Sequence, residues 1–375
     1  MRGLDSIIQQ RENVFLRLIA LVALVYVFIV SIQLFGASFK LFGEGFATGL
    51  FTLTSNPLVG LLIGVLSTTL VQSSSTTTSL VVSLVAAGTL NLEGAIPIIM
   101  GANIGTTVTN TLVSLGHISR KEEFRRAFAA STVHDMFNLL AVVVILPIQM
   151  ATGFLGRFSE ALAGSFQNIG GFQFTSPLKA ATKPVAKGLL TVIKDTGLFG
   201  ENVVPIIGCI LGLALLLMAL RYIVNLLKGL ILGRVENFFQ RYLFGNPAYS
   251  FILGMMLTTF VQSSSISTSI AIPLVGAGIL TVAQIFPYTL GSNIGTTTTA
   301  LLAGLATGEP AGLAVAFAHL LFNLSGIAIF WPLSRIPLKM ADLLAGFAVR
   351  SKLIPILYII IVFYALPGAF IFLMR

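Results

Sequence analysis

Apolar runs long enough to cross a bilayer alternate along the chain with short polar connections. The pattern predicts full spans at about 14–36, 95–116, 124–148, 202–225, 284–305, 312–333 and 353–374, each near the ~20 apolar residues that a crossing requires. Two further apolar stretches, 56–90 and 246–280, are interrupted halfway by Gln72-Ser73-Ser74-Ser75 and Gln262-Ser263-Ser264-Ser265. Each interruption leaves two arms of about 17 residues, for which two short full crossings are the alternative to a hairpin. They read as re-entrant helical hairpins with polar tips, because non-helical backbone at membrane depth survives only where protein or a water-filled cavity covers it.

The polar motif is part of a longer duplication. Asn56-Pro57 matches Asn246-Pro247, and Thr68-Thr69 matches Thr258-Thr259. Gly101-Ala102-Asn103-Ile104-Gly105-Thr106-Thr107 matches Gly291-Ser292-Asn293-Ile294-Gly295-Thr296-Thr297. After a five-residue slip, His134, Phe137 and Asn138 match His319, Phe322 and Asn323. An odd number of crossings separates the two hairpins, so the second copy enters from the opposite face. The fold class expected is an all-α polytopic membrane protein with two inverted-topology repeats, each holding a re-entrant hairpin and a broken transmembrane helix, as in secondary transporters.

The organisation that follows is a first helix with a surface segment (1–55), repeat 1 (56–148), an external linker (149–200), a second scaffold helix with a surface helix (201–245), repeat 2 (246–333), and a surface helix with the last span (334–375). The linker carries Gly170-Gly171, Pro177 and Pro184. The charged N-terminus followed by an apolar run resembles a signal peptide, but no small-residue cleavage site follows, and the segment reads as a retained helix.

Composition narrows the class further. Hydrophobic residues make up 56% of the chain and charged residues 9%, against about 25% charged in soluble domains. The net charge of +9 comes from basic residues scattered through short loops, which argues against nucleic-acid binding. Placing the N-terminus in the cytoplasm puts fifteen Lys and Arg on the inner side and seven on the outer, as the positive-inside rule requires. The C-terminus then lies outside, in a multi-pass protein of the plasma (inner) membrane. The single cysteine, Cys209, has no intrachain partner and reads as a small buried hydrophobe.

Acids are almost absent from the spans, so the chemistry falls to hydroxyls and amides. Gln72, Ser73, Ser74 and Ser75, with Gln262, Ser263, Ser264 and Ser265, sit where a helix start offers unpaired N–H groups and the positive end of its dipole. Two such starts converging from opposite sides form a pocket for an anion. The alternative is that these serines bond to their own helices or join neighbouring ones. Asn103, Thr106 and Thr107, with Asn293, Thr296 and Thr297, lie in glycine-flanked segments where a helix break is expected. Oxygen-only ligation there suits sodium, the one metal expected; close packing through small residues is the alternative. His134 with Asn138, and His319 with Asn323, share a helix face at i and i+4. No nearby Cys or Glu completes a zinc set, so these residues are expected to brace the broken helices. Asp135 is the one carboxylate inside a crossing and would relay protons or complete a cation site; Leu320 replaces it in the second copy.

Both halves resemble the type II sodium-dependent phosphate cotransporters. The resemblance rests on Gln72 to Thr76, Ile96 to Gly101, Phe124 to Ala129, Thr132 to Asp135, Gln262 to Ser265, Pro287, Leu290 to Ala300 and Phe322 to Gly326, and it covers about 56–148 and 246–345. It implies sodium-driven uptake of inorganic phosphate, with the paired Gln-Ser-Ser-Ser regions at the substrate. It also implies sodium as coupling ion, no cofactor and no enzymatic activity. The linker is shorter than in vertebrate members and lacks their disulfide cysteines. Association into a homodimer and the sodium number are left open. A sodium-coupled carrier of another oxyanion or a carboxylate would share the hairpins, and an anion channel would share the helix ends. An intramembrane serine hydrolase is disfavoured, since no nucleophile elbow is present.

Overall fold

A computed structural model describes residues 2–42, 48–49, 52–168, 177–197, 200, 203–242 and 246–374. Gly170-Gly171 of the expected linker lies outside the described residues. All regular structure among the described residues is helical. The two hairpins pair helices of matching length: α2 (Pro57–Val71) with α3 (Ser74–Ala86), and α10 (Pro247–Val261) with α11 (Ser264–Gly276). Both begin the same way. Asn56 Oδ1 accepts from Leu58 N at 3.0 Å and Asn246 Oδ1 from Ala248 N at 2.8 Å, with proline at the first helical position, where its missing N–H costs nothing. At 1.5 Å per residue the 15-residue arms are about 22 Å long, short of the ~30 Å hydrocarbon core.

Among the described residues, six helical stretches are long and apolar enough to cross a membrane. They lie in α1 (Arg2–Lys40), α4 with α5 (Leu92–Thr106 and Val108–Ser114, with a 3₁₀ turn to His117), α6 (Lys121–Thr152), α9 (Val204–Tyr242), α13 (Pro310–Phe330), and the last helix, α15 (Leu353–Ile360) continued through a π-helical turn into α16 (Leu366–Leu373). The chain is thus an all-α polytopic membrane protein. The seventh expected span, α12 (Val282–Thr307), has 26 residues but falls outside those six because serine, asparagine and threonine dilute its apolar character. The inner helices carry the polar residues: 78% of the apolar window is buried in both α4–α5 and α6, against 17% in α15–α16.

The two expected helix breaks do not both occur. In the first copy α4 stops at Thr106 and α5 starts at Val108, with Thr107 N donating to Ile104 O at 3.3 Å in a tightened turn. In the second, α12 runs unbroken through Gly291–Thr297, so the broken helix expected there is corrected to a continuous one. The glycines serve close approach instead of unwinding. A Cβ on Gly101 would lie 1.8 Å from Leu61 O, and one on Gly291 1.9 Å from Phe251 O. Reciprocally, a Cβ on Gly64 would meet Ile98 O at 1.9 Å and one on Gly254 would meet Tyr288 O at 2.0 Å. Each hairpin's first arm therefore lies backbone to backbone against the following helix, as small residues permit in membranes.

Helices α6 and α13 cross at equivalent residues. A Cβ on Gly326 would stand 3.0 Å from Ala141 Cβ, and Phe137 meets Phe330 edge to face with centroids 6.4 Å apart. Stepping back from Ala141 to Phe137 on α6 corresponds to stepping forward from Gly326 to Phe330 on α13, so the pair is antiparallel. The hairpin bases obey the same exchange: a Cβ on Gly312 would touch Ala86 Cβ at 3.1 Å, and one on Gly276 would touch Ala127 Cβ at 3.3 Å. Arg126 fixes the second contact by donating from Nε and Nη2 to Gly276 O at 3.0 and 2.7 Å.

Outside this core, α1 and α9 pack through Phe28, Ile29 and Ile32 with Leu216, Leu220 and Ile223. Two amphipathic helices follow α6: α7 (Phe154–Asn168), packed on α13, and α8 (Pro177–Asp195), packed on α1. Between α13 and the last helix lies α14 (Arg335–Ala348), packed on α6.

Candidate functional site: the paired hairpin tips

Each tip is a two-residue turn built identically. Gln72 (φ 58°, ψ 26°) and Gln262 (φ 56°, ψ 28°) end the first arms in the left-handed region. They are the only non-glycine residues with positive φ among the described residues. Such a conformation costs on the order of 1–3 kcal/mol and gathers at functional sites. Ser73 and Ser263 are extended and cap the second arms. Ser73 Oγ accepts from Thr76 N at 3.2 Å, and Ser263 Oγ accepts from Ile266 N at 3.4 Å.

The caps satisfy the third N–H of each arm and leave the first two, on Ser74 and Ser75 and on Ser264 and Ser265, without an intrahelical acceptor. The four side chains are 3, 4, 3 and 8% exposed in that order. Ser75 Oγ lies 3.5 Å from Gln262 O and from Thr299 Oγ1, and Ser265 Oγ lies 3.4 Å from Thr106 O. The tips thus meet across the duplication. The hydroxyls of Ser74 and Ser264 make no hydrogen bond among the described residues, unlike the capping pair Ser73 and Ser263.

The glutamines hold the turns. Gln72 Nε2 donates to Thr69 O at 2.6 Å, and Gln262 Nε2 bonds back likewise to Thr259 O. Their oxygens accept from Thr109 Oγ1 at 2.8 Å and Thr299 Oγ1 at 2.7 Å. The arms are tied by Thr68 to Thr77 at 2.9 Å and Thr258 to Ser267 at 2.7 Å. Asn110 Nδ2 donates to Thr268 Oγ1 at 2.8 Å, joining one copy to the tip of the other. Thr109, Thr299 and Asn110 were not singled out from sequence, although Thr109 and Thr299 stand 190 positions apart like the glutamines they serve.

Behind the tips lies a crossed network. Asn103 Nδ2 donates to Asn323 Oδ1 at 2.7 Å and its Oδ1 faces His319 Nε2 at 2.9 Å. Asn293 Nδ2 donates to Asn138 Oδ1 at 2.8 Å and its Oδ1 faces His134 Nε2 at 2.6 Å. Asn138 Nδ2 reaches Asn103 O at 2.9 Å and Asn323 Nδ2 reaches Asn293 O at 3.5 Å. Each central asparagine is gripped by the other copy's His-Asn pair. With the amides donating, both imidazoles must present Nε2–H.

The four threonines of the glycine-flanked segments bond back to their own helices. Thr106 donates to Ala102 O at 2.8 Å, Thr107 to Ile104 O at 2.7 Å, Thr296 to Ser292 O at 3.1 Å and Thr297 to Ile294 O at 2.6 Å. A donating hydroxyl retains lone pairs for a cation. Asp135 is 3% exposed, and its Oδ2 accepts from Tyr358 Oη at 2.8 Å, with Thr107 and Thr111 close to the same carboxylate. Tyr358, on the last helix, has no counterpart in the duplication and gave no signal in the sequence.

Neither Lys nor Arg occurs in 56–116 or 246–333, the stretches that carry the two tips. The polar groups the tips offer are backbone N–H groups, hydroxyls and helix N-termini.

Comparison with known proteins places the chain in a family. The family described as Na+/Pi-cotransporter matches residues 27–174 and 215–350. The sodium-dependent phosphate transport protein 2A of Ovis aries is 34% identical over 440 residues, covering 98% of this chain and 69% of the relative. That of Rattus norvegicus is 35% identical over 415 residues, covering 92% and 65%. The 2B protein of Homo sapiens is 34% identical over 442 residues, covering 94% and 64%. The chain therefore spans about two thirds of the length of these relatives. No solved structure matches. With a match running through both hairpins and both glycine-flanked helices, the chain belongs to the Na+/Pi-cotransporter family.

Proposed function

We propose that this protein is a secondary symporter that couples inward sodium movement to uptake of inorganic phosphate by alternating access, with the anion held between the two hairpin tips. The observation that carries the reading is the pair of unengaged hydroxyls, Ser74 and Ser264, each at the start of a capped helix in a stretch of chain without Lys or Arg. Phosphate stripped of water in such a site needs co-bound cations to offset its charge, and that requirement is the physical basis of coupling. Sodium takes the lone pairs of Thr106, Thr107, Thr296 and Thr297, with Asp135 adding one asymmetric charge. Asn103 and Asn293 we assign to bracing, since both amide groups are already engaged. Gln72 and Gln262 shape the tips, and Ser73, Ser75, Ser263 and Ser265 complete the polar wall.

The two copies are an inverted repeat in this reading. The antiparallel crossing at Ala141 and Gly326, and the exchange of hairpin bases, support an axis in the membrane plane. The N-terminus is cytoplasmic and the C-terminus external, by the loop charges. The hairpin-bearing units move against α1 and α9. The test is uptake of labelled phosphate into liposomes containing the full chain, with an imposed sodium gradient. Accumulation that needs sodium and is competed by phosphate and arsenate, but not by sulfate or succinate, is the expected result. Flux without sodium would replace this reading with a channel; competition by succinate would replace it with a carboxylate carrier.

A further inference from the structure

A cavity of about 400 Å³ lies between α1, α3 and α8, away from the hairpin tips. Lys40, Lys183 and Lys187 contribute to its wall, and none of the three forms an ion pair among the described residues. Lys183 and Lys187 are one helical turn apart on α8, so they present their ammonium groups side by side. The remainder of the wall is largely apolar, with Ile32, Ala37, Ala86 and Leu190, while Gln33 and Ser83 add polar groups. Among the described residues Glu309 is the only acid in the lining, and it already has an interaction of its own.

We propose that this cavity is a site for an anionic phospholipid, its phosphate among the three lysines and its first methylenes along the apolar wall. Three observations favour a lipid over free phosphate. The apolar part of the wall would be wasted on a small, fully hydrated ion, whereas an amphiphile matches both halves. The cavity is far roomier than a phosphate ion needs. Its flanking helices expose aliphatic and aromatic side chains, with Val22 71%, Tyr26 40%, Val185 41% and Val192 64% exposed, as surfaces facing acyl chains do. Tyr26 Oη, at 3.2 Å from Ala181 O, ties α8 to α1 and keeps the lysines over the cavity. Clustered lysines near a membrane surface attract anionic lipid in proportion to their number.

The test uses the full chain, purified, delipidated and offered phosphatidylglycerol or phosphatidylcholine, with bound lipid counted by native mass spectrometry. The expected result is a preference of about tenfold or more for phosphatidylglycerol, abolished when Lys40→Gln, Lys183→Gln and Lys187→Gln are combined. A control combining Lys121→Gln, Lys339→Gln and Lys352→Gln removes the same charge from exposed positions elsewhere and should keep the preference. Equal loss in the control, retention in the cavity variant, or displacement of the lipid by millimolar inorganic phosphate would overturn the proposal. The last outcome would assign the cavity to free phosphate.

Discussion

His134 Nε2 lies 2.6 Å from Asn293 Oδ1, a contact between the two halves of the duplication. Its counterpart joins His319 to Asn103 at 2.9 Å. Asn103, Asn293, His134 and His319 are at most 4% exposed, so the network is shielded from bulk solvent. Removing either histidine leaves a buried amide oxygen short of a donor, at a cost of about 1–3 kcal/mol. His134→Ala and His319→Ala should each lower the thermal midpoint of the purified protein. The double variant should cost less than the sum, since the two grips share one network. Additive losses would show two independent contacts.

How much of this was legible in the sequence differs from residue to residue. The hairpins were, because Asn-Pro at their starts and Gln-Ser-Ser-Ser at their tips are local signals: a cap with proline behind it, and a run of N-cap residues. The continuity of α12 was not. Gly291 and Gly295 weaken a helix and also admit a neighbouring backbone, and composition alone does not say which. The partner of Asn103 is Asn323, 220 positions away, and nothing local encodes such a pairing. The matched motifs mark equivalent positions in the two copies, but contact between them depends on how α6 and α13 cross. Tyr358 lies outside the duplicated motifs, so the repetition that marked the rest of the candidate site was silent about it.

The glycine contacts make a steric prediction. A methyl on Gly101 or Gly291 would sit within 2 Å of a carbonyl oxygen, at Leu61 and Phe251 respectively. Gly101→Ala and Gly291→Ala should sharply reduce the yield of folded protein. Gly116→Ala and Gly346→Ala, where a Cβ meets nothing within 4 Å, should be neutral. Size-exclusion chromatography of the four variants checks this, and a monodisperse, active Gly291→Ala protein would contradict the backbone approach.

Asp135 and Tyr358 should prove coupled. The Tyr358 hydroxyl donates to a buried carboxylate at 2.8 Å, and a hydrogen bond to a charged group is worth about 1.5–3 kcal/mol. Tyr358→Phe should therefore lower thermal stability in the parent but much less in an Asp135→Asn background. A double-mutant cycle with no interaction term would separate the two residues.

The central prediction concerns Ser74 and Ser264. Their hydroxyls are left over when the caps at Ser73 and Ser263 and the ties at Thr76, Thr77 and Ser267 are counted, so losing them breaks nothing in the fold. Removing one donor to a bound anion costs about 1.5–3 kcal/mol, roughly a ten- to hundredfold weakening. Ser74→Ala and Ser264→Ala should raise the phosphate concentration for half-maximal uptake by that factor, while the thermal midpoint without ligand stays at the parent value. Ser73→Ala should behave differently, because it uncaps α3 and costs stability before it costs affinity. Cysteine at 74 or 264 should be blocked by a bulky thiol reagent, and sodium with phosphate should slow the reaction. Reagent should reach Ser74→Cys from outside and Ser264→Cys from inside, because the hairpin bases lie at opposite ends of the antiparallel pair α6 and α13. Full transport after complete labelling at both positions would mean that the anion binds elsewhere.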